Sequence, residues 1–332
     1  MHVLAANGVS VEQKCVSAGG KAISANIVRV PLDKYQMKVG LAQGRVGATD
    51  SLKNIVGRYK AVAGINGCFF DAYTKDAVKP PYHHLITGGE VIHLGNTGTT
   101  LGFDANGDYR MDQIRVTVRG EVKSEGGRGS SWYAYFVNHP VQSGTAATIF
   151  NRYYVGAKTP AQGTQIVIRE NSVQSIGNGG TSIPSSGFAL LLAGGEQGMA
   201  GRFQTGANCS YRYEIQAEDS EFWQNVREAV GCGPMLVRDG QICLDPTSEG
   251  FSSAKILTAS GQRSAVGITS DRKLLLVTCG GTVRQLASVM KALGCRDAMN
   301  LDGGASSCLY ANGKYLTSPG RNISNALLVV AK

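Results

Sequence analysis

No stretch of the sequence approaches the roughly 20 consecutive apolar residues that a membrane-spanning helix needs, so no membrane span is expected. Charge is scarce as well. Asp, Glu, Lys and Arg together make up 17% of the 332 residues, whereas glycine occurs 44 times. Such a chain suits strands and tight turns better than a helical bundle, because glycine reaches the positive φ angles that tight turns require. Basic runs are also missing. The net charge is +9, but Lys and Arg are scattered, so no nucleic-acid footprint is predicted. The excess reads either as a solvated basic surface or as a field that draws in anionic substrates. The eight cysteines (Cys15, Cys68, Cys209, Cys232, Cys243, Cys279, Cys295 and Cys308) include no Cys-x-x-Cys pair, and no histidine stands at zinc-finger spacing. A structural zinc site is therefore not expected, and neither is any other metal or cofactor. The even cysteine count permits disulfides in an exported protein; buried free thiols are the alternative. The opening MHVLAANGVS is too short for a signal peptide and lacks its basic segment. Its Val-Leu-Ala-Ala resembles a small-residue cleavage site and reads as the stub of a removed signal, with a native cytoplasmic start as the alternative.

What the chain does hold is a succession of hairpin signals. Thr87-Gly88-Gly89-Glu90, Ala105-Asn106-Gly107-Asp108, Arg238-Asp239-Gly240-Gln241 and Ala311-Asn312-Gly313-Lys314 each separate two apolar runs. Asn-Gly and Asp-Gly fit type I′ turns, whose twist matches that of the strands they join. Strands are predicted at 23–30, 61–65, 165–169, 235–237, 273–278 and 326–330. The best helix runs from Val283 to Leu293, capped by Thr282 and followed by Gly294. Weaker helices are predicted at 51–59 and 220–229. Two glycine-rich stretches, 120–131 and 194–208, read as mobile loops. The expected class is α+β, with a mixed, largely antiparallel β-sheet and a few packed helices. Residues 1–120 form a strand-rich first part and residues 121–332 a second part with most of the candidate motifs, the two making one integrated domain.

Three segments hold candidate site residues. In Ala63-Gly64-Ile65-Asn66-Gly67-Cys68-Phe69-Phe70-Asp71 a buried strand ends in Asn66, two aromatics and a carboxylate. In Asn300-Leu301-Asp302-Gly303-Gly304-Ala305-Ser306-Ser307, period two places Asn300 and Asp302 on the same side of an extended chain. Gly303 and Gly304 then allow a ligand or another backbone to come close. In Gly261-Gln262-Arg263-Ser264, Arg263 stands at the mouth of an apolar strand, where a guanidinium can grip a phosphate through two parallel hydrogen bonds. Arg321 has a similar strand-entry position. Glu249 is an isolated acid beside Gly250 and Phe251.

Together these pieces resemble the phosphodiester glycosidase family. INGCFFD is similar to the family's Asn-Gly-Gly-Phe-Phe-Asp pattern with Cys68 in place of a glycine, and NLDGGASS to Asn-Leu-Asp-Gly-Gly-Gly-Ser-Ser with Ala305 in place of a glycine. QRSAVGI and GCGPMLVRDGQ are similar to its Arg-Thr-Ala-x-Gly element and its Gly-Gly-Pro hairpin, and the resemblance extends from about Val9 to Val330. One element is different: where the family has a Val-Asp-Gly-Arg turn, Cys279-Gly280-Gly281-Thr282 leads directly into the helix. The resemblance implies a secreted or cell-surface hydrolase that splits a sugar from a phosphodiester in an anionic glycan, with no cofactor. Asp302 and Glu249 would be its carboxylates, and Arg263 and Arg321 its phosphate ligands. Asn66, Asn300, Ser306 and Ser307 would bind sugar hydroxyls, Gly303 and Gly304 would admit the substrate, and Phe69 and Phe70 would form a pocket wall. Two rivals are a non-catalytic carbohydrate- or cell-wall-binding module of the same fold, and a cysteine hydrolase using Cys68 with His83 or His84.

Overall fold

The computed structural model describes residues 4–6, 8–141 and 143–332, so part of the opening segment read as a signal stub lies outside the described residues. The chain is largely β. Its α-helices are four among the described residues, and the longest, Val283–Ala292, has 10 residues. The class thus departs from the expected α+β in how little helix there is. The antiparallel expectation holds: among the described residues Phe136–Val137 and Ala146–Phe150 make the one parallel strand pair.

Four sheets result, and three of them combine strands from before and after residues 115–216. The first takes Val9–Ala18 and Lys21–Pro31 from the beginning and joins them to Lys273–Gly281, Gly261–Thr269, Cys295–Asn300 and Met235–Arg238. A five-stranded sheet sets Ala63–Asn66 between Leu309–Ala311 and Asn325–Ala331. Another sets Val226–Gly231 between Leu85–Thr87 and Thr100–Asp104. Residues 115–216 supply the fourth sheet, and the core around Trp132 and Trp223 is shared with Ile86, Val91 and Ala229 of the preceding five-stranded sheet.

Local rules placed the hairpins. Arg238 pairs with Gln241 and Ala311 with Lys314. In both turns the two central residues have positive φ, Asp239 (47°) with Gly240 (75°) and Asn312 (50°) with Gly313 (79°), as a type I′ turn demands. The helix Val283–Ala292 starts where Thr282 and Gln285 cap each other reciprocally. It buries Leu286, Val289 and Met290 against the first sheet.

Three expectations are corrected. Of the predicted helix 220–229 only Ser220–Gln224 is helical; Val226–Gly231 is a central strand, paired on both edges. The cross-strand bonds to two neighbours outweigh a weak helical preference there. The stretch 120–131 is not a loop between halves but a hairpin: strand Arg115–Lys123 runs through Gly120 and returns at Ser130–Ala134. A Cβ on Gly120 would lie 2.0 Å from the Trp132 ring, so glycine serves close packing here rather than a turn. Finally, Gly194–Arg202 is a 3₁₀ helix with Met199 buried beneath it, and Asn208 already begins a strand.

Candidate active site

Two strand ends from different sheets meet at one point. Asn66 closes the strand Ala63–Asn66, and its Nδ2 donates to the backbone carbonyl of Asp302 at 2.6 Å. The Asn66 Oδ1 accepts from Ser264 Oγ (2.7 Å) and from the Cys308 amide (3.0 Å). Asp302 in turn donates its amide to the Gly67 carbonyl at 3.0 Å. Ser307 completes the knot, its Oγ 3.0 Å from Ser264 Oγ. Asn66 and Ser307 are each 1% exposed. They are staples between the sheets and do not open onto solvent. The close approach explains Gly67, where a Cβ would sit 2.0 Å from Asn325 Oδ1.

Beside this knot lies a cavity of about 600 Å³, whose wall includes Phe69, Phe70, His83, Phe251, Asp302 and Ser306. Asp302 is the single carboxylate among its lining residues. Its Oδ1 accepts the Gly303 amide at 2.8 Å. Burial raises its pKa from 3.8 to about 6, against the Ser306 hydroxyl, the Gly303 N–H and the charges of Arg321 and Lys255, which all pull it down. Desolvation therefore outweighs four stabilising contacts. Gly304 also lines the cavity, at φ +62°.

Three cations line the same space: Lys255, Arg263 and Arg321. None forms a salt bridge with a carboxylate among the described residues. Arg321 and Lys255 flank the exposed ring of Tyr73, at 4.6 and 5.2 Å from its centroid, and Arg321 Nη2 donates to the Tyr73 hydroxyl at 2.8 Å. That bond is the main reason the Tyr73 pKa is lowered. Arg263 is different. It is 5% exposed, and its Nε donates to the Gly281 carbonyl (3.0 Å) while Nη2 donates to the carbonyls of Lys255 (2.9 Å) and Ala259. Both Nη2 hydrogens are spent, so two parallel bonds to a phosphate, as the sequence suggested, are not open to it. Among the described residues only Nη1 is left without a protein partner.

Besides Asn66 and Ser307, two more predicted residues lie away from the cavity lining. Glu249 is 6% exposed, with Oε2 accepting from Thr99 Oγ1 and Oε1 from the Met235 amide, both at 2.7 Å. Burial raises its pKa, and its backbone carbonyl accepts the Gly98 N–H at 3.2 Å behind the wall. Asn300 is 1% exposed and donates to the Gly233 carbonyl at 2.9 Å. The strand ends at Asn300, so the period-two argument that paired it with Asp302 does not extend across that boundary.

All eight cysteines are free, six of them buried. Cys68 is 2% exposed, is absent from the cavity lining, and burial pushes its thiol up to about 12. His84, also buried, is pushed down to about 4. A thiol held protonated behind the wall cannot be the nucleophile, so the cysteine-hydrolase alternative falls. Cys68→Ser is expected to keep wild-type kcat/KM, and loss of turnover in a variant with unchanged Tm would reverse this assignment.

Sequence reasoning missed Tyr73, Lys255 and Phe251 altogether. It weighed His83 only as a partner for Cys68, although the imidazole itself lines the cavity. Nothing local marks the first three. They come together through loops that only the fold brings into register.

The architecture has solved counterparts. A hypothetical protein from Synechocystis superposes over the whole chain with a TM-score of 0.84 at 20% identity; this chain spans 64% of that protein's length. A candidate exported protein from Burkholderia pseudomallei K96243 matches 95% of the chain, and 76% of its own, with a TM-score of 0.76 at 19% identity. The catalytic domain of zebrafish N-acetylglucosamine-1-phosphodiester alpha-N-acetylglucosaminidase, auto-inhibited by its pro-peptide, matches 98% of the chain and 83% of its own, with a TM-score of 0.53 at 14% identity. These likenesses concern the fold. No curated protein matches the sequence. At the level of sequence, residues 162–330, more than half of the chain and the part that contains Arg263 and Asp302, match the phosphodiester glycosidase profile, and the chain belongs to that family.

Proposed function

We propose that the protein is a glycoside hydrolase that cleaves the sugar–phosphate bond of a glycosyl phosphodiester, such as an N-acetylglucosamine-1-phosphodiester in a glycan or cell-wall polymer. One observation carries this reading: a cavity with a single, desolvated carboxylate is lined by three cations that form no salt bridge among the described residues. A neutral glycoside would not need that excess of positive charge. A phosphodiester would, because negative charge grows on the leaving phosphate as the bond to the anomeric carbon breaks. The electron pair goes to the phosphate oxygen, where Lys255 and Arg321 lower its energy. Phosphate leaves well, so strong acid assistance is unnecessary, and Asp302 acts ionised, facing the oxocarbenium-like carbon. Phe69 and Phe251 offer apolar rings to the sugar face, and Ser306 orients Asp302.

We read the interleaved sheets as one integrated catalytic unit. We also place the protein outside the cytoplasm, secreted or at the cell surface. The name of the Burkholderia structure, an exported protein, supports this placement.

The decisive experiment is a hydrolysis screen of sugar-1-phosphodiesters beside uncharged aryl glycosides. Release of a phosphomonoester and free sugar is expected. Binding of the phosphodiesters without release would identify a carbohydrate-binding module instead. Within an active protein, Arg321→Gln and Lys255→Gln should each lower kcat/KM for phosphodiesters by about 10- to 100-fold, the scale of one charge-assisted hydrogen bond, with aryl glycosides nearly unaffected. Equal losses on both substrates would remove the phosphate from these two side chains.

A further inference from the structure

We propose that His83 is a catalytic residue that takes the proton from the water attacking the anomeric carbon; this rests on the glycosidase reading above. Glycoside hydrolysis by water needs a group to receive a proton, and glycosidases usually use a second carboxylate. This cavity has none: Asp302 is its only acid, and Glu249 is held behind the wall by Thr99 and Met235. His83 is the one imidazole that lines it.

The local bonding prepares that imidazole for the task. His83 Nδ1 lies 2.8 Å from the Thr97 carbonyl. A carbonyl only accepts, so Nδ1 must carry the hydrogen, and in the neutral ring Nε2 is then a bare lone pair. No protein group among the described residues bonds that nitrogen. The ring packs against Phe69 and Phe251, with centroids at 5.4 and 6.1 Å, and its own backbone carbonyl is tied by His93 Nδ1 at 2.7 Å. The side chain is only 3% exposed, and burial lowers its pKa to about 4, so it stays neutral wherever Asp302, near 6, is ionised. What sets His83 apart from its neighbour His84, whose Nε2 is also unpartnered, is that His83 lines the carboxylate's cavity.

The step balances without a further reagent. The water oxygen bonds to the anomeric carbon, its proton passes to His83 Nε2, and the carbon–oxygen bond to phosphate breaks with its electrons on the phosphate. The products are the free sugar and a phosphomonoester, and the imidazolium then releases its proton to solvent.

The test is chemical rescue in the full chain. His83→Ala should lose about 100- to 1,000-fold in kcat on a phosphodiester that the wild type cleaves. Sodium azide, a nucleophile that has no proton to give up, should restore turnover at least tenfold and yield the glycosyl azide; His83→Gln, which keeps the size and polarity, should be as slow in water and show the same Tm as the wild type. Wild-type turnover in His83→Gln, or a loss that azide does not relieve in folded His83→Ala, would overturn the role of His83 and leave the glycosidase reading standing. A wild type that releases no product from any phosphodiester would overturn both.

Discussion

Asp302→Asn is expected to abolish hydrolysis of every substrate, with a fall in kcat/KM of more than about 1,000-fold, and at the same time to make the protein more stable at pH 8. The first effect follows from removing the only carboxylate in the cavity. The second follows from linkage. In the folded protein the Asp302 pKa stands at about 6, above its ordinary 3.8, so the fold favours the protonated acid. That preference adds to stability fully below pH 3.8 and is lost as the pH rises through about 6. At pH 8 the ionised, desolvated carboxylate is a cost, and an amide of the same shape can still accept the Gly303 N–H. The gain should be about 1–3 kcal/mol at pH 8 and vanish near pH 4. Denaturant unfolding of both proteins at the two pH values measures it. A destabilised Asp302→Asn at pH 8 would mean that Arg321 and Lys255 outweigh desolvation after all. The same pKa predicts the wild-type pH profile: kcat should drop as the pH falls through about 6, as Asp302 takes up a proton.

Arg263→Met should cost about 2–4 kcal/mol of stability, because it leaves the carbonyls of Gly281, Lys255 and Ala259 without their donor in a buried place. Two of those carbonyls belong to the short segment 254–259 that carries Lys255 to the cavity. Arg263 is thus a positioning residue. Arg263→Lys, which can satisfy only part of the set, should lower Tm and, by displacing Lys255, reduce phosphodiester hydrolysis more than aryl glycoside hydrolysis. A loss confined to phosphodiesters, at unchanged Tm, would show instead that the free Nη1 grips phosphate.

The roles of Arg263 and Glu249 show where reading along the chain reaches its end. Sequence placed Arg263 at the mouth of an apolar strand, and it is there, beginning the run Gly261–Thr269. What the guanidinium does depends on carbonyls at Lys255, Ala259 and Gly281, whose positions are set by a helix end and a strand end that close around it. Glu249 sits beside Gly250 and Phe251 in sequence, and Phe251 does line the cavity. A reversal of the chain there turns the carboxylate inward to Thr99 and Met235 instead. His83 was read only as a partner for Cys68 for the opposite reason: a His-His pair in a strand-poor stretch has no local pattern, and its surroundings come from Thr97, Phe69 and Phe251.

By itself the sequence determined whatever depends on neighbours along the chain. The Asp-Gly and Asn-Gly turns, the Thr282 cap, the buried strands and the two polar segments that end them are all properties of a few consecutive residues, set by φ preferences and hydrophobic period. Only tertiary structure decided which polar side chains face the cavity and which disappear behind it. Asn66 and Asp302 stand 236 residues apart and are joined by one hydrogen bond across two sheets, and Asn66 is consumed by that bond while Asp302 keeps its carboxylate open. Residue type says which groups can donate, accept or titrate; burial and the partners brought by distant strands decide which of those capacities remain unspent, and chemistry is left to those that do.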